Sequence, residues 1–150
     1  MSKVKTGVFP CHDLDIQIST NGDVETPIFA PIKDMESANI EIDTGVETWN
    51  PFDTGGWQRA LATAKAINFS FSGKRNLGDP GNDYVASKAY ANGRDCDSII
   101  KIVFPNDDEV KLPCVVAVTN PGSSDSTAVA PLEFDLNSSG KPTYTEATGS

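Results

Sequence analysis

The sequence predicts a mainly β (α+β) fold: two packed antiparallel sheets forming a β-sandwich or partly open barrel, flanked by one α-helix at about 79–92. Three observations carry this. Several stretches alternate apolar and polar residues with the period of two that a half-buried strand requires, among them Ile67-Asn68-Phe69-Ser70-Phe71-Ser72 and Ala38-Asn39-Ile40-Glu41-Ile42-Asp43. Only one stretch is punctuated as a helix, with Asp79 placed to accept from first-turn amides and Pro80 at the first helical position, where no donor is missed. Turn chemistry separates the rest, as in Asn21-Gly22, Pro105-Asn106-Asp107-Asp108 and Pro121-Gly122-Ser123-Ser124-Asp125.

Taken in order, residues 1–13 have little pattern and read as an N-terminal arm, and Leu14-Asp15-Ile16-Gln17-Ile18 reads as a first strand. In the stretch 38–43, Ala38, Ile40 and Ile42 are expected in the core, with Asn39, Glu41 and Asp43 on the other face. A long loop is predicted at about 44–65, carrying Trp49, Pro51, Phe52, Trp57 and the flexible Gly55-Gly56 pair. Unstructured loops of this length are uncommon in compact domains unless functional, and aromatic residues on them suit contact surfaces because they cover area with few rotatable bonds. The next strand sets Asn68, Ser70 and Ser72 on its polar face. In the helix, Asp83 favours the positive end of the dipole, Val85, Ala86, Ala89 and Tyr90 form a narrow apolar stripe, and Asn92-Gly93 is the stop.

Beyond the helix, residues 99–104 are strongly β-like, and a strand over 109–119 sets Val110, Leu112, Cys114, Val116 and Val118 on one face. Pro113 on the opposite face predicts an edge position or a bulge, because proline gives no ladder hydrogen bond. A last strand over 127–136 aligns Ala128, Ala130, Leu132, Phe134 and Leu136, and the Ser-, Thr- and Gly-rich residues 137–150 read as a flexible C-terminal tail. A chain of 150 residues fits one domain with arm and tail.

The net charge of −9 and pI of about 4.4 argue against a basic nucleic-acid-binding patch, which needs clustered Lys and Arg. No apolar run is long enough to span a bilayer and no leader pattern opens the chain, so synthesis and folding in the cytoplasm are expected, without a membrane partner. Cys11, Cys96 and Cys114 lack CxxC spacing and read as free thiols.

Catalytic patterns are absent, and no enzyme, cofactor or metal site is predicted. His12, the single histidine, lies between Cys11 and Asp13, and adjacent residues do not easily converge on one metal. Gly73-Lys74 lacks the earlier glycine of a phosphate loop, with Asn68 there instead, and Arg75 stands where Ser or Thr is needed. Asn106-Asp107-Asp108-Glu109 lacks an EF-hand pattern and reads as a solvated turn. Lys74 and Arg75 have two readings: a local ion pair with Asp79 or Asp83, or a contact to a carboxylate of a neighbouring subunit.

The run Ser72-Gly73-Lys74-Arg75-Asn76-Leu77-Gly78-Asp79-Pro80-Gly81-Asn82-Asp83-Tyr84-Val85 resembles the strand-to-helix segment of major tail tube proteins of long-tailed bacteriophages. Ala130-Pro131-Leu132-Glu133-Phe134-Asp135-Leu136, followed by Gly140-Lys141-Pro142-Thr143, resembles the closing strand of that family, and the order of elements agrees over about 14–144. The resemblance implies the tail tube fold shared with the type VI secretion tube protein, in which six-membered rings stack into a conduit for DNA. It implies a virion structural role in the tail, with assembly in the host bacterial cytoplasm and tape measure, tail terminator and distal tail proteins as partners. Ring stacking falls on Trp49, Phe52 and Trp57, and inter-subunit charge contacts on Lys74, Arg75, Asp79 and Asp83. Asn39, Glu41, Asp43, Asn68 and Ser70 would line the lumen, where acidic groups repel phosphate so that DNA passes unbound. A tube subunit from a contractile tail or secretion system is a neighbouring reading. In another class, a carbohydrate- or protein-binding β-sandwich would use Trp49 and Trp57 as a stacking platform.

Overall fold

The computed structural model describes residues 6–147, so the outermost parts of the expected arm and tail, 1–5 and 148–150, lie outside the described residues. The chain is mainly β with a single α-helix among the described residues. Its strands are β1 (Asp15–Ser19), β2 (Phe29–Pro31), β3 (Met35–Trp49), β4 (Arg59–Lys74), β5 (Asp97–Val103), β6 (Glu109–Asn120), β7 (Pro131–Ser138) and β8 (Thr143–Thr145), and α1 spans Pro80–Ser87.

All eight strands belong to one antiparallel sheet of order β2-β1-β5-β6-β7-β4-β3, with β8 paired to β6. Between the two packed sheets and the partly open barrel that alternation permits, the chain takes the continuous form. Strands β2 and β3 stand at opposite ends of the order, yet only residues 32–34 join them, so the sheet must curl until its edges approach. Inside the curl, Ile18, Ile100, Leu112, Cys114, Val116, Leu132, Phe134 and Leu136 pack with Phe69 and Phe71 as one core. The rings of Phe71 and Phe134 stack at 4.8 Å between centroids.

Helix α1 packs on β1, β2 and β6 and closes one side of the curl. Asp79 caps it as expected, its carboxylate accepting from the Asn82 amide at 3.0 Å. Gly81 lets the helix touch β2: a Cβ there would overlap the Pro31 carbonyl. The helix is shorter than the predicted 79–92, because a 3₁₀ turn over Lys88–Tyr90 tightens its end and Ala91 is extended; Tyr90 is exposed.

Three further differences have physical causes. The loop predicted at 44–65 is the outer half of a hairpin, in which β3 and β4 pair continuously from Asn39 opposite Ser70 to Trp49 opposite Arg59, apart from a bulge near Gly45. Small residues hide the β period there: Ala60, Ala62, Ala64 and Ala66 alternate with little contrast in polarity, and the bulge breaks the count. Ala38, Ile40 and Ile42 do share a face with buried Phe71 and Phe69 and with Ile67, yet all three are exposed, Ile40 by 54 %. They lie on the terminal strand of the sheet order, away from the main packing of α1 on β1, β2 and β6, so no described helix covers them.

Pro113 lies in the interior strand β6 rather than at an edge or bulge. Its carbonyl accepts from the Ser139 amide at 2.9 Å, and its nitrogen points the same way, into the break between β7 and β8 where no ladder donor is required. Beyond that break, β8 pairs with the start of β6, and Asp108 holds it: Oδ2 accepts from the Tyr144 hydroxyl at 2.7 Å and Oδ1 from the Ala147 amide at 2.9 Å.

Candidate assembly surface

The outer part of the β3–β4 hairpin is an arm. Strand β4 is shared with β7 only from Asn68 to Lys74, so residues 59–67 pair with β3 alone. At about 3.3 Å per residue the arm extends roughly 30 Å past the last rung shared with β7. Its root is flanked on one edge, where residues 62–65 and Ile67 face Ser138 and Gly140-Lys141-Pro142 across a cleft and the Ile67 amide donates to Ser138 Oγ at 3.0 Å. The outer part is open on both faces and edges, a condition in which a two-stranded ribbon has little stability of its own.

The tip is nevertheless built. Asn50 Nδ2 donates to the Gly56 carbonyl at 3.1 Å, and the Thr54 hydroxyl donates to the Trp57 carbonyl at 2.7 Å. A 3₁₀ turn over Phe52–Thr54 ends at Gly55 in the left-handed region, φ 63°, which glycine adopts without penalty. This frame turns Phe52 fully outward and leaves Trp57 79 % exposed. Trp49 and Arg59 form the last rung, with the guanidinium 6.0 Å from the indole centroid. The three aromatic residues singled out from the sequence therefore gather at one end of one hairpin.

Inward from the tip, the outer surface of the curl is polar. Register places Asn39, Ser70 and Asp135 on one row and Glu41, Asn68 and Asn137 on the next, with Glu133 opposite Ser72 and Asp43 opposite Ala66. These residues line a shallow depression that includes Asn39, Glu41, Asn68, Ser70 and Asp135. The ion pairs among the described residues involve none of Glu41, Asp43, Glu133 and Asp135, so this wall carries uncompensated negative charge. The alternation in the last strand sets Glu133 and Asp135 on its polar face, and the β4–β7 register adds that they stand opposite Ser72 and Ser70, with Asn137 opposite Asn68.

The four charged residues around the strand-to-helix segment have partners within the chain. Lys74 pairs with Glu36 at 2.8 Å and Arg75 with Asp83 at 2.8 Å, while Asp79 accepts from the Lys33 amide as well as capping the helix. Their hub is Asn82, fully buried and unrecognised in the sequence. Its Oδ1 accepts from Arg75 at 2.9 Å and the Asn76 amide at 3.0 Å, and its Nδ2 donates to the Lys33 and Lys74 carbonyls at 3.1 and 3.0 Å. An asparagine near a helix start reads as local capping in a sequence; only the fold brings the loop 33–34 to it.

No cluster of His, Cys, Asp and Glu that could hold a metal occurs among the described residues, and no described helix is long and apolar enough to cross a membrane. Burial pushes the Cys114 thiol up to about 12, which leaves it protonated and unreactive, whereas Cys11 is exposed.

The curled sheet with one helix and a projecting hairpin is the phage-like tail tube fold. It matches the tail of an empty gene transfer agent particle with C6 symmetry at a TM-score of 0.72 and 15% identity, covering 92% of this chain and 99% of that one. It matches the virion of a native gene transfer agent particle at 0.69 and 16%, again over 92% and 99%. The anti-feeding prophage baseplate, 6-fold symmetrised, matches at 0.60 and 9% over 95% and 99%. No protein-family model matches the chain, and no curated protein sequence does. The fold expected from the strand-to-helix run is therefore the fold the chain adopts, at identities where structure alone carries the likeness.

Proposed function

We propose that the chain is a structural subunit of a phage-like tail, assembling as six-membered rings that stack into a tube through which DNA passes. The arm is the observation that carries this reading. A projecting ribbon with open edges and a built aromatic tip has no role in stabilising its own body, and it acquires both burial and strand partners when a second copy receives it. The six-fold symmetry of the matching tail and baseplate structures supports the ring number.

In this assembly Trp49, Phe52 and Trp57 make ring-to-ring contacts, and Asn39, Glu41, Asp43, Asn68 and Ser70, with Glu133 and Asp135 beside them, face the lumen. Their negative charge keeps DNA phosphates at a distance. The internal pairing of Lys74, Arg75, Asp79 and Asp83 favours a shaping role: these groups hold the loop that neighbouring copies meet, and the half-exposed Lys74–Glu36 pair and the Asp83 carboxylate are placed to exchange partners with one. The work is passive conduction without catalysis, in the virion tail, assembled in the host cytoplasm. Tape measure, terminator and distal tail proteins are the partners that such a tube requires.

Negative-stain electron microscopy with light scattering tests the proposal. Wild-type protein at high concentration is expected to form hollow six-fold tubes, and a chain lacking residues 45–62 is expected to stay folded and form none. Tubes made by the truncated chain, or a wild-type monomer that binds glycans instead, would reject the reading.

A further inference from the structure

Stacking requires a receiver for the tip, and the strand directions say where to look. Strand β4 runs from the tip at Arg59 to Lys74, and Lys74 pairs with Pro131 at the start of β7, so the loops 75–78 and 121–130 lie at the end of the body opposite the tip. The two loops are joined there, the Arg75 amide donating to the Ala130 carbonyl at 2.9 Å. Two residues along the chain from Arg75 is Leu77, 81 % exposed, and next to Ala130 is Val129, 67 % exposed. Exposed carboxylates flank them: Asp125 in the same loop as Val129, and Asp34, which accepts from the Asn76 side chain at 2.6 Å.

We infer that the Leu77–Val129 patch of one copy receives the Trp57–Phe52 tip of the next, with Arg59 of the tip meeting Asp125 or Asp34. This deepens the arm-stacking reading and rests on it. Three features match across the contact. A head-to-tail assembly that grows without closing needs two different patches at opposite ends of one chain, which tip and patch supply. Both are apolar and exposed. Arg59 has no carboxylate partner among the described residues, and the receiving loops supply carboxylates with nothing but local polar contacts. The patch is small, so one contact binds weakly, and a ring that engages all its copies at once gains through multivalency. Free subunits then stay apart while rings stack.

Disulfide trapping in a Cys11→Ser background tests the pairing, since Cys96 and Cys114 are buried. Chains carrying Gln58→Cys, at an exposed tip position that leaves Trp57 and Phe52 in place, are mixed with chains carrying Val129→Cys, assembled and oxidised. Linked dimers are expected from the mixture, from neither chain alone, and not when Tyr144→Cys, near the tip end of the body, replaces Val129→Cys. Tubes that form without the link between positions 58 and 129, or that link Gln58→Cys to Tyr144→Cys, overturn the receiver while leaving the arm reading standing. Tubes from the arm-truncated chain overturn the arm reading itself. Should the cysteine variants not assemble, Leu77→Asp decides: the expected result is unchanged melting with single rings and no stacks, and full-length tubes would reject the patch.

Discussion

The two halves of the β3–β4 hairpin are built from similar residues and have opposite fates. In the inner half Phe69 and Phe71 of β4, with β7 beside them, are buried in the core, while in the outer half Val46, Leu61, Trp49 and Trp57 meet solvent, as Ile40 and Ile42 of the terminal strand β3 do. Apolar residues on alternating positions are thus not sufficient for a core. What differs is the number of neighbours: β4 has two partner strands up to Asn68 and one beyond it. The inner half supplies stability and the outer half is proposed to supply contact, and substitutions should separate the two.

The largest effect is expected in the body. Phe134→Ala removes a fully buried ring stacked on Phe71 and should cost about 3–5 kcal/mol in denaturant unfolding. A loss below about 1 kcal/mol would mean the core can collapse around the gap, and the contrast between the halves would weaken. Next, Asn82→Leu should cost about 3 kcal/mol, because it leaves the Lys33 and Lys74 carbonyls and the Asn76 amide without their partner in a buried site. A near-wild-type melting curve would show that water can replace the amide, and the hub would lose its standing.

The arm sharpens the comparison from the other side. Trp57→Ala should shift chain stability by no more than about 0.5 kcal/mol, as for other exposed positions, yet abolish tubes seen by electron microscopy. Intact tubes would remove the tip from the interface. The smallest effect is local. The Ala147 amide, with the Tyr144 hydroxyl, holds the Asp108 carboxyl below the ordinary carboxylate range. A depressed value in the folded chain means that the tether is complete above that range and is lost as pH falls through the folded value. Hydrogen-exchange protection of β8 should then fall in acid while that of β7 holds. Equal protection of β8 in Asp108→Ala at neutral pH would exclude the tether.

Residue choice makes much of this legible. Asp79-Pro80 announces the helix start, and the alternations at 38–43 and 67–72 announce strands. The strand-to-helix run points to the tail tube fold. Other features are silent because they depend on neighbours distant in the chain. Alanines in β4 give no contrast from which to count a period, and the polarity of Asn82 does not reveal that loop 33–34 will reach it.

Local chemistry therefore determined where the elements start, which faces they offer and that the balance of charge is acidic. It acts through neighbours a few residues away, and those neighbours are written in the chain. Which offered faces became core, and which were left as arm, patch and acidic wall, was decided only when β7 stopped at Ser138 and left the outer half of β4 without a second partner. Burial is a property of what lies opposite, and the sheet order sets that from residues more than sixty positions apart, as in the pairing of Asn68 with Asn137.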